Sequence, residues 1–381
     1  MRSPWSSWVR IAAITASLSL GLWASTFGAF LVGAAMDDLG LSAVEAGGLV
    51  SAELVSAGTT SLLAAPFIRR YSTARLALLS AAFGISMQVA SVYMDSFGLL
   101  LPFRVGSGVA GGLLIAASSY VAASSFNPDR AFSYSISIFM LGSIILMQVM
   151  GIIVGDHGLD GAYWTQAVAL LLGSLLFFWL SPEKTPEIGQ HSHEPVRPRR
   201  DWIILISLIL IFGLFLGPIY YFLERLGMHV GMETERIGLF LSAGTLAGFF
   251  GALLAGRASD WLGRRRPMMI GLILLASSGL LYAFAGSESA FLVTNVIFWV
   301  SYMFLYSFFF ATAAAFDPTG RLSVACGGIN QFTVALGPVL GGVLFEWASF
   351  PALGGCAAVG LSAAFLIVAL KGRFLDQLDP R

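Results

Sequence analysis

Apolar runs long enough to cross a bilayer follow one another along almost the whole chain, separated by polar breaks. A helix spanning ~30 Å of hydrocarbon needs ~20 mostly apolar residues, because its backbone polar groups must be satisfied internally there. Twelve such runs can be marked: 11–35, 43–67, 76–94, 97–123, 131–155, 162–181, 202–223, 236–256, 267–286, 290–315, 322–345 and 351–371. Most breaks are short, but residues 182–201, rich in proline and charge, form one long linker. The pattern predicts an all-α membrane protein with twelve transmembrane helices in two pseudo-symmetric six-helix bundles. The bundles are expected over 1–181 and 202–381, joined by a cytoplasmic linker over 182–201. The first run is too long for a cleavable leader and lacks a small-residue cleavage site.

Composition agrees with a lipid environment. Hydrophobic residues make up 57% of the 381 and charged ones only 11%, with a mean hydropathy of +0.82. Soluble domains carry about 25% charged residues, so a water-exposed surface is excluded. The 21 Lys and Arg balance the 21 Asp and Glu, and without a basic excess nucleic acid is not expected as a partner. The zero is unevenly distributed. Of the cations, Arg225 and Arg236 fall on one side of the span map, Arg104 falls within a span, and the other eighteen fall on the opposite side. The positive-inside rule then puts both termini in the cytoplasm. The expected location is a bacterial inner (plasma) membrane, with the protein a monomer in the lipid bilayer.

The two halves also resemble each other. The stretch Ser124–Arg130 and its continuation match Ala314–Arg321 at an offset of about 190 residues. Duplicated six-helix bundles commonly hold a binding site at their interface near the membrane midplane.

One loop adds a specific signature. Gly256, Asp260 and Gly263, followed by Arg264, Arg265 and Arg266, stand between the eighth and ninth runs. This spacing resembles the loop motif of the major facilitator superfamily, and the resemblance extends over the twelve runs, the linker and the repeat. It implies that Gly256, Asp260, Gly263, Arg264 and Arg265 form a cytoplasmic gating motif. Glycine permits a tight reversal, and Asp260 can meet backbone donors or an arginine. In the first half, residues 65–75 depart from the motif: Arg69 holds the acid's position and Ser72 the second glycine's. Leu101–Gly111 resembles a second motif, an intramembrane arginine before a glycine-rich face, linked in the family to proton transfer. Gly337–Gly342 resembles an antiporter motif but lies on the eleventh run rather than the fifth, so a close-packed eleventh helix is the better reading.

Ionisable groups inside a span are functional candidates by default. Glu53 lies about 13 Å into the second run and Arg104 about 11 Å into the fourth from the same face, at ~1.5 Å per residue. The family fold makes these helices neighbours, so Glu53 and Arg104 are expected to pair, either as a proton-coupling element or as a static brace.

On the tenth run Asn295, Trp299, Tyr302 and Tyr306 recur at helical spacing on one face. The resemblance implies that the first, fourth, seventh and tenth helices line a cavity. Tyr220, Tyr221 and Trp23, with Phe27, would extend that wall, and Gln148 and Asn330 would lie on interface helices. Such a face suits a small organic solute with a ring-shaped body, although aromatic packing is the plainer alternative.

Other classes fit less well. No phosphate-binding G-x-x-x-x-G-K-[ST] stretch is present, so the energy source is expected to be an ion gradient or the substrate's own gradient, with proton coupling the better fit to an intramembrane glutamate. The four histidines map to the breaks between runs, against a membrane enzyme acting on lipid-like substrates. His191 and His193 in the linker lack a third ligand, and Cys326 and Cys356 show no metal spacing. No metal or cofactor is expected. A sensor that binds without translocating remains the alternative to a proton-coupled, alternating-access transporter.

Overall fold

A computed structural model of the chain describes residues 4–64, 67–125, 128–182, 199–316, 321–372 and 375. Every regular element among them is helical: α1 (Pro4–Gly21), α2 (Trp23–Leu39), α3 (Ala43–Ala64), α4 (Thr73–Ser91), α5 (Phe97–Ala123), α6 (Pro128–Ser174), α7 (Arg199–Tyr220), α8 (Leu223–His229), α9 (Thr234–Leu262), α10 (Arg265–Ala283), α11 (Glu288–Phe316) and α12 (Arg321–Lys371), with short 3-10 turns at Ile68–Arg70 and Phe177–Trp179. Most of the expected linker, residues 183–198 with His191 and His193, lies outside the described residues.

These helices supply twelve spans. The first is α1 continued by α2 after a break at Leu22, and the seventh is α7 continued by α8. The apolar stretches Tyr134–Ser174 and Cys326–Lys371 contain 41 and 46 residues. At ~1.5 Å per residue each would run to roughly twice the ~30 Å hydrocarbon thickness, so each must fold back. The backbone leaves helical geometry at Gly158 in α6 and at Ala348 and Ser349 in α12. Many large apolar side chains stand in the open (Leu62, Ile145, Leu172, Phe250 and Val359 among them), as lipid permits and water penalises.

The chain forms two compact units, Met1–Ile188 and Gly189–Arg381. In the first, α3 packs on α5, and α4 on α5 and α6; in the second, α9 packs on α11, and α10 on α11 and α12. The second and fourth spans of each unit therefore meet, as do the third and sixth. Glycine makes the first of these contacts possible in both units, from opposite partners. In unit one Gly108 and Gly112 of α5 face the Glu53 and Ala57 carbonyls of α3; in unit two Gly251 of α9 faces the Val300 carbonyl of α11. Gly337 meets Gly217 backbone to backbone, so the glycine-rich eleventh span is indeed closely packed.

The reversal inside α6 is pinned by its own chemistry. Gly158 has φ 57°, and the next amide, Leu159 N–H, donates to Asp38 Oδ2 at 2.5 Å. A Cβ at Gly158 would stand 2.0 Å from that oxygen. Gly158→Val is therefore expected to lower the thermal midpoint clearly, through an αL cost of about 1–2 kcal/mol plus the collision. Asp38→Ala should cost nearer 1 kcal/mol, as loss of a capping side chain does. Thermal unfolding of the purified variants checks both, and an unchanged Gly158→Val midpoint would contradict the assignment.

Candidate functional site

Polar residues converge inside unit one from four helices that are otherwise almost wholly apolar. Arg104 and Ser107 lie one turn apart on α5, Gln88 and Ser91 one turn apart on α4, and Glu53 sits midway along α3. Arg104 is 2% exposed, Glu53 4% and Gln88 0%. Arg104 Nη1 reaches Glu53 Oε2 at 3.4 Å. Its Nη2 donates to Gln88 Oε1 at 2.8 Å and to Ser91 Oγ at 2.5 Å. Ser107 Oγ donates to Glu53 Oε1 at 2.6 Å and accepts from Gln88 Nε2 at 2.7 Å. The face of Tyr163, on the second arm of α6, lies 4.2 Å from the guanidinium carbon.

The bonds close a ring from Arg104 through Glu53, Ser107 and Gln88 back to Arg104. Both contacts to the carboxylate come from donors, and the guanidinium meets acceptors and an aromatic face, so the cluster is built for a charged pair. Burying such a pair is tolerable when most of the remaining polar atoms are bonded as well, and here Arg104 Nε is left without a hydrogen-bond partner among the described residues. A proton delivered to Glu53 would remove the counter-charge of Arg104 while leaving its bonds to Gln88 and Ser91.

In unit two an aromatic run joins α7 to α11. Ring centroids are 4.9 Å apart for Tyr220–Tyr221, 5.7 Å for Tyr220–Trp299, 5.8 Å for Trp299–Tyr302 and 6.2 Å for Tyr302–Tyr306. Phe212 stacks on Tyr302 at 5.3 Å. Asn295 is placed differently. It is fully buried, its Nδ2 donates to the Phe240 carbonyl at 2.5 Å, and its Oδ1 accepts from Tyr282 at 2.9 Å. The amide thus ties α9, α10 and α11 together. Trp23 belongs to unit one, where it pairs with Phe27 at 4.6 Å.

Several of these candidates hold buried polar atoms with no hydrogen-bond partner among the described residues. They include Trp23 Nε1, Arg104 Nε and Gln148 Oε1 in unit one, and Tyr221 Oη, Trp299 Nε1 and Asn330 Oδ1 in unit two. Orphaned buried polar groups are uncommon, and each calls for an explanation.

The loop motif differs from its reading as a loop. Residues 256–262 continue α9 as helix, so Gly256 lies within the helix and not in the reversal. Nothing between Arg257 and Leu262 breaks a helix. The stop comes at Gly263, whose φ of 70° is the left-handed geometry glycine provides at a helix end. The side chain of Asp260 lies outside the described residues, as do Ala65 and Pro66. Arg264 takes the N-cap position of α10. Arg265 donates from Nε to the Val368 carbonyl at 3.3 Å and from Nη2 to that of Ala369, a cation on the last carbonyls of α12. In the first half Ser72 caps α4 by accepting from Arg75 N–H at 3.4 Å, which gives a local reason for serine where the motif has glycine.

Depth along the helices, together with the helix neighbourhood the family resemblance implies, pairs Glu53 with Arg104, but neither marks Ser91, Ser107 or Tyr163. Their signal was polar side chains repeating one turn apart on apolar helices. Among the described residues, no group of three or more His, Cys, Asp or Glu side chains could hold a metal ion.

These features define a polytopic helical membrane protein built as two six-helix bundles, one holding a buried ion pair and the other an aromatic face. Comparison with known proteins supplies the family. The family model of the Major Facilitator Superfamily matches residues 12–323, and the chain belongs to this family of membrane transporters. It is 35% identical over 143 residues to the mouse Major facilitator superfamily domain-containing protein 10, covering 35% of this chain and 30% of that protein. An uncharacterised MFS-type transporter of Schizosaccharomyces pombe is 27% identical over 186 residues, covering 47% and 40%. The chain thus spans under half the length of these relatives. A bacterial homologue of the human lysosomal transporter Spinster, in an inward-facing and occupied conformation, superposes with a TM-score of 0.73 at 16% identity, covering 99% of this chain and 97% of that one. The inward-open xylose transporter XylE from E. coli gives 0.72 at 13%, covering 98% and 99%. The nucleoside transporter NupG gives 0.69 at 14%, covering 96% and 98%. At these identities the structures share the fold.

Proposed function

We propose that the chain is a proton-coupled secondary transporter that moves a small, ring-shaped organic solute by alternating access between its two bundles. The observation that carries this reading is the buried Glu53–Arg104 pair, enclosed by Gln88, Ser91, Ser107 and Tyr163. An acid and a base so far from water are costly to keep unless their charge state does work. In the proposed cycle Glu53 binds a proton in one orientation of the bundles and releases it in the other, with Arg104 restoring the carboxylate. Trp299, Tyr302, Tyr306, Tyr220 and Tyr221 offer flat faces, an indole N–H and phenols to the solute, and Gln148 and Asn330 offer acceptors. The structural neighbours named for xylose and for nucleosides carry hydroxylated rings, a class this face suits. The proposal includes an N-terminal bundle over 1–181, a linker over 182–201 and a C-terminal bundle over 202–381. It places both termini in the cytoplasm of a bacterial cell, the protein in the inner membrane as a monomer, and the cluster from Gly256 to Arg265 at the cytoplasmic gate.

The test begins with thermal shifts of the purified protein against sugars, nucleosides, amino acids, organic acids and aromatic compounds, because ligands of the folded state raise apparent stability. A solute that shifts the midpoint is then followed into proteoliposomes. Glu53→Gln mimics the protonated acid, so it should keep solute counterflow and lose accumulation driven by a pH gradient. Undiminished gradient-driven accumulation by Glu53→Gln would end the proton-coupling reading. Trp299→Ala combined with Tyr302→Ala should weaken solute affinity by at least tenfold, and unaltered affinity would remove the aromatic face from the binding site.

A further inference from the structure

One constant offset relates the two units along the chain. The step from Gly40 to Gly231 is also the step from Gly158 to Ser349, and all four residues have positive φ, the latter two 57° and 55°. The same step carries the starts of α3 and α5 onto those of α9 and α11. It gives each member of the charged ring in unit one a counterpart in unit two. Arg104 is replaced by Asn295, Glu53 by Gly244 and Ser91 by Tyr282, while Gln88 and Ser107 give way to Gly279 and Phe298. Charge has gone from these positions, but a polar node has stayed.

The node joins the corresponding three helices. Asn295 on α11 donates to the Phe240 carbonyl of α9 at 2.5 Å and accepts from Tyr282 of α10 at 2.9 Å. Gly244 lets the amide reach across: a Cβ there would lie 2.4 Å from Asn295 Nδ2 and 2.3 Å from Trp299 Cδ1. Amide and indole thus share the bare backbone of one glycine, where the counterpart of Glu53 would stand. Tyr282 reaches the indole by a second route, through Phe298, with ring centroids at 5.6 Å and 6.1 Å. Trp299 itself stands nearly perpendicular to Tyr220 and to Tyr302, at interplanar angles of 83° and 89°. The setting of the indole therefore decides how those two rings meet it.

We propose that Gly244, Tyr282 and Asn295 form a neutral seat that positions the indole of Trp299 within the aromatic face, with a hold that does not change with pH. They are positioning residues, acting through Trp299. The titratable groups facing the seat among the described residues are phenols, Tyr282 on the amide and Tyr220 and Tyr302 on the indole, and phenols stay neutral well above pH 7. Arg236 and Glu288 pair with each other about two turns further out along α9 and α11. The inference rests on the aromatic face being the solute site, but the seat itself is read without solute.

The full chain, labelled with fluorotryptophan and held in detergent micelles, reports the seat by fluorine NMR. Trp299→Phe identifies one signal among those of the nine tryptophans. In the unmodified protein that signal should keep its position from acid to mildly alkaline buffer. Asn295→Leu keeps the side-chain shape and removes both bonds, so the signal should move or broaden. Tyr282→Phe removes one bond and should move it less; it also keeps the readout available if Asn295→Leu does not fold. Asn295→Asp supplies the rescue. The neutral acid can donate to the Phe240 carbonyl and accept from Tyr282, so in acid its signal should coincide with that of the unmodified protein. The carboxylate has no proton for that carbonyl, and the signal should part as the charge forms. A signal unmoved in both Asn295→Leu and Tyr282→Phe, or left displaced by Asn295→Asp in acid, would overturn the seat.

Thermal-midpoint shifts with xylose, uridine and adenosine then test what the seat is for. A compound among these that binds the unmodified chain should bind Asn295→Leu about fivefold more weakly, the worth of one hydrogen bond. It should bind Asn295→Asp in acid as it binds the unmodified chain at the same pH. Level affinity beside a displaced signal would show that the seat does not serve the solute, and the inference would fall. Binding undiminished in Trp299→Ala combined with Tyr302→Ala would strike the aromatic face itself, and the seat's purpose with it. Binding of none of the three would strike the hydroxylated-ring reading and leave the fluorine signal to decide the seat.

Discussion

Arg104→Met is expected to be among the most damaging single substitutions in the chain. The variant retains most of the side-chain volume but leaves Glu53 buried without its cation, and Gln88 and Ser91 without the guanidinium they accept from. Removing one partner of a buried pair typically costs about 3–5 kcal/mol, most of it from the charge left behind. In a domain of this size that corresponds to a fall of roughly 10 °C in the thermal midpoint, with transport lost. Adding Glu53→Gln to Arg104→Met removes the stranded charge and should recover a large part of the stability, but none of the gradient-driven accumulation. Arg104→Lys should fall between. A point-like ammonium cannot meet Glu53, Gln88 and Ser91 together as a planar fork does. Thermal unfolding and proteoliposome uptake of the three variants separate structural loss from functional loss. If Arg104→Met melted with the unmodified protein, Glu53 would have to be reaching water.

The same cluster shows what a sequence does and does not disclose. Apolar run lengths mark the spans, because lipid imposes one requirement on every helix that crosses it. The breaks near 156–161 and 346–350 fall where the backbone reverses at Gly158 and at Ala348 and Ser349. Depth is also legible, since a rise of ~1.5 Å per residue puts Glu53 and Arg104 at nearly one level. Azimuth is not. Whether Gln88 turns toward Arg104 depends on how α4 leans on α5, and Ser107 is too ordinary a residue to stand out. Asn295 shows the cost of that gap. Its spacing aligns it with Trp299 and Tyr302, yet the packing of α9 and α10 gives its amide two partners of their own.

Gly108→Val is expected to abolish folded protein, and Gly108→Ala to separate stability from coupling. A Cβ at position 108 would lie 1.9 Å from Ser56 Oγ and 2.2 Å from the Glu53 carbonyl oxygen. The hydroxyl, bonded to that carbonyl at 2.9 Å, can rotate away, but the carbonyl is backbone and cannot step aside unless α3 moves. Restoring an ordinary carbon–oxygen contact of ~3.3 Å means parting the helices by about 1 Å. The displacement would fall on Glu53 itself and on the adjacent Ser107, whose bond to the carboxylate is 2.6 Å long. An added ångström takes that bond out of hydrogen-bonding range. Gly108→Ala should therefore fold with a lowered midpoint and lose gradient-driven accumulation while retaining counterflow, the signature expected of Glu53→Gln. Valine adds two more carbons at the same crossing and has no comparable escape. Gly98 supplies the control in the first turn of the same helix: a Cβ there meets nothing within 4 Å, so Gly98→Ala should stabilise, by part of the ~1 kcal/mol that alanine gains over glycine in a helix interior. Opposite signs from two alanines on α5 would isolate the contact with α3 from the helix propensity common to both, and equal signs would show that the crossing is looser than the glycine implies.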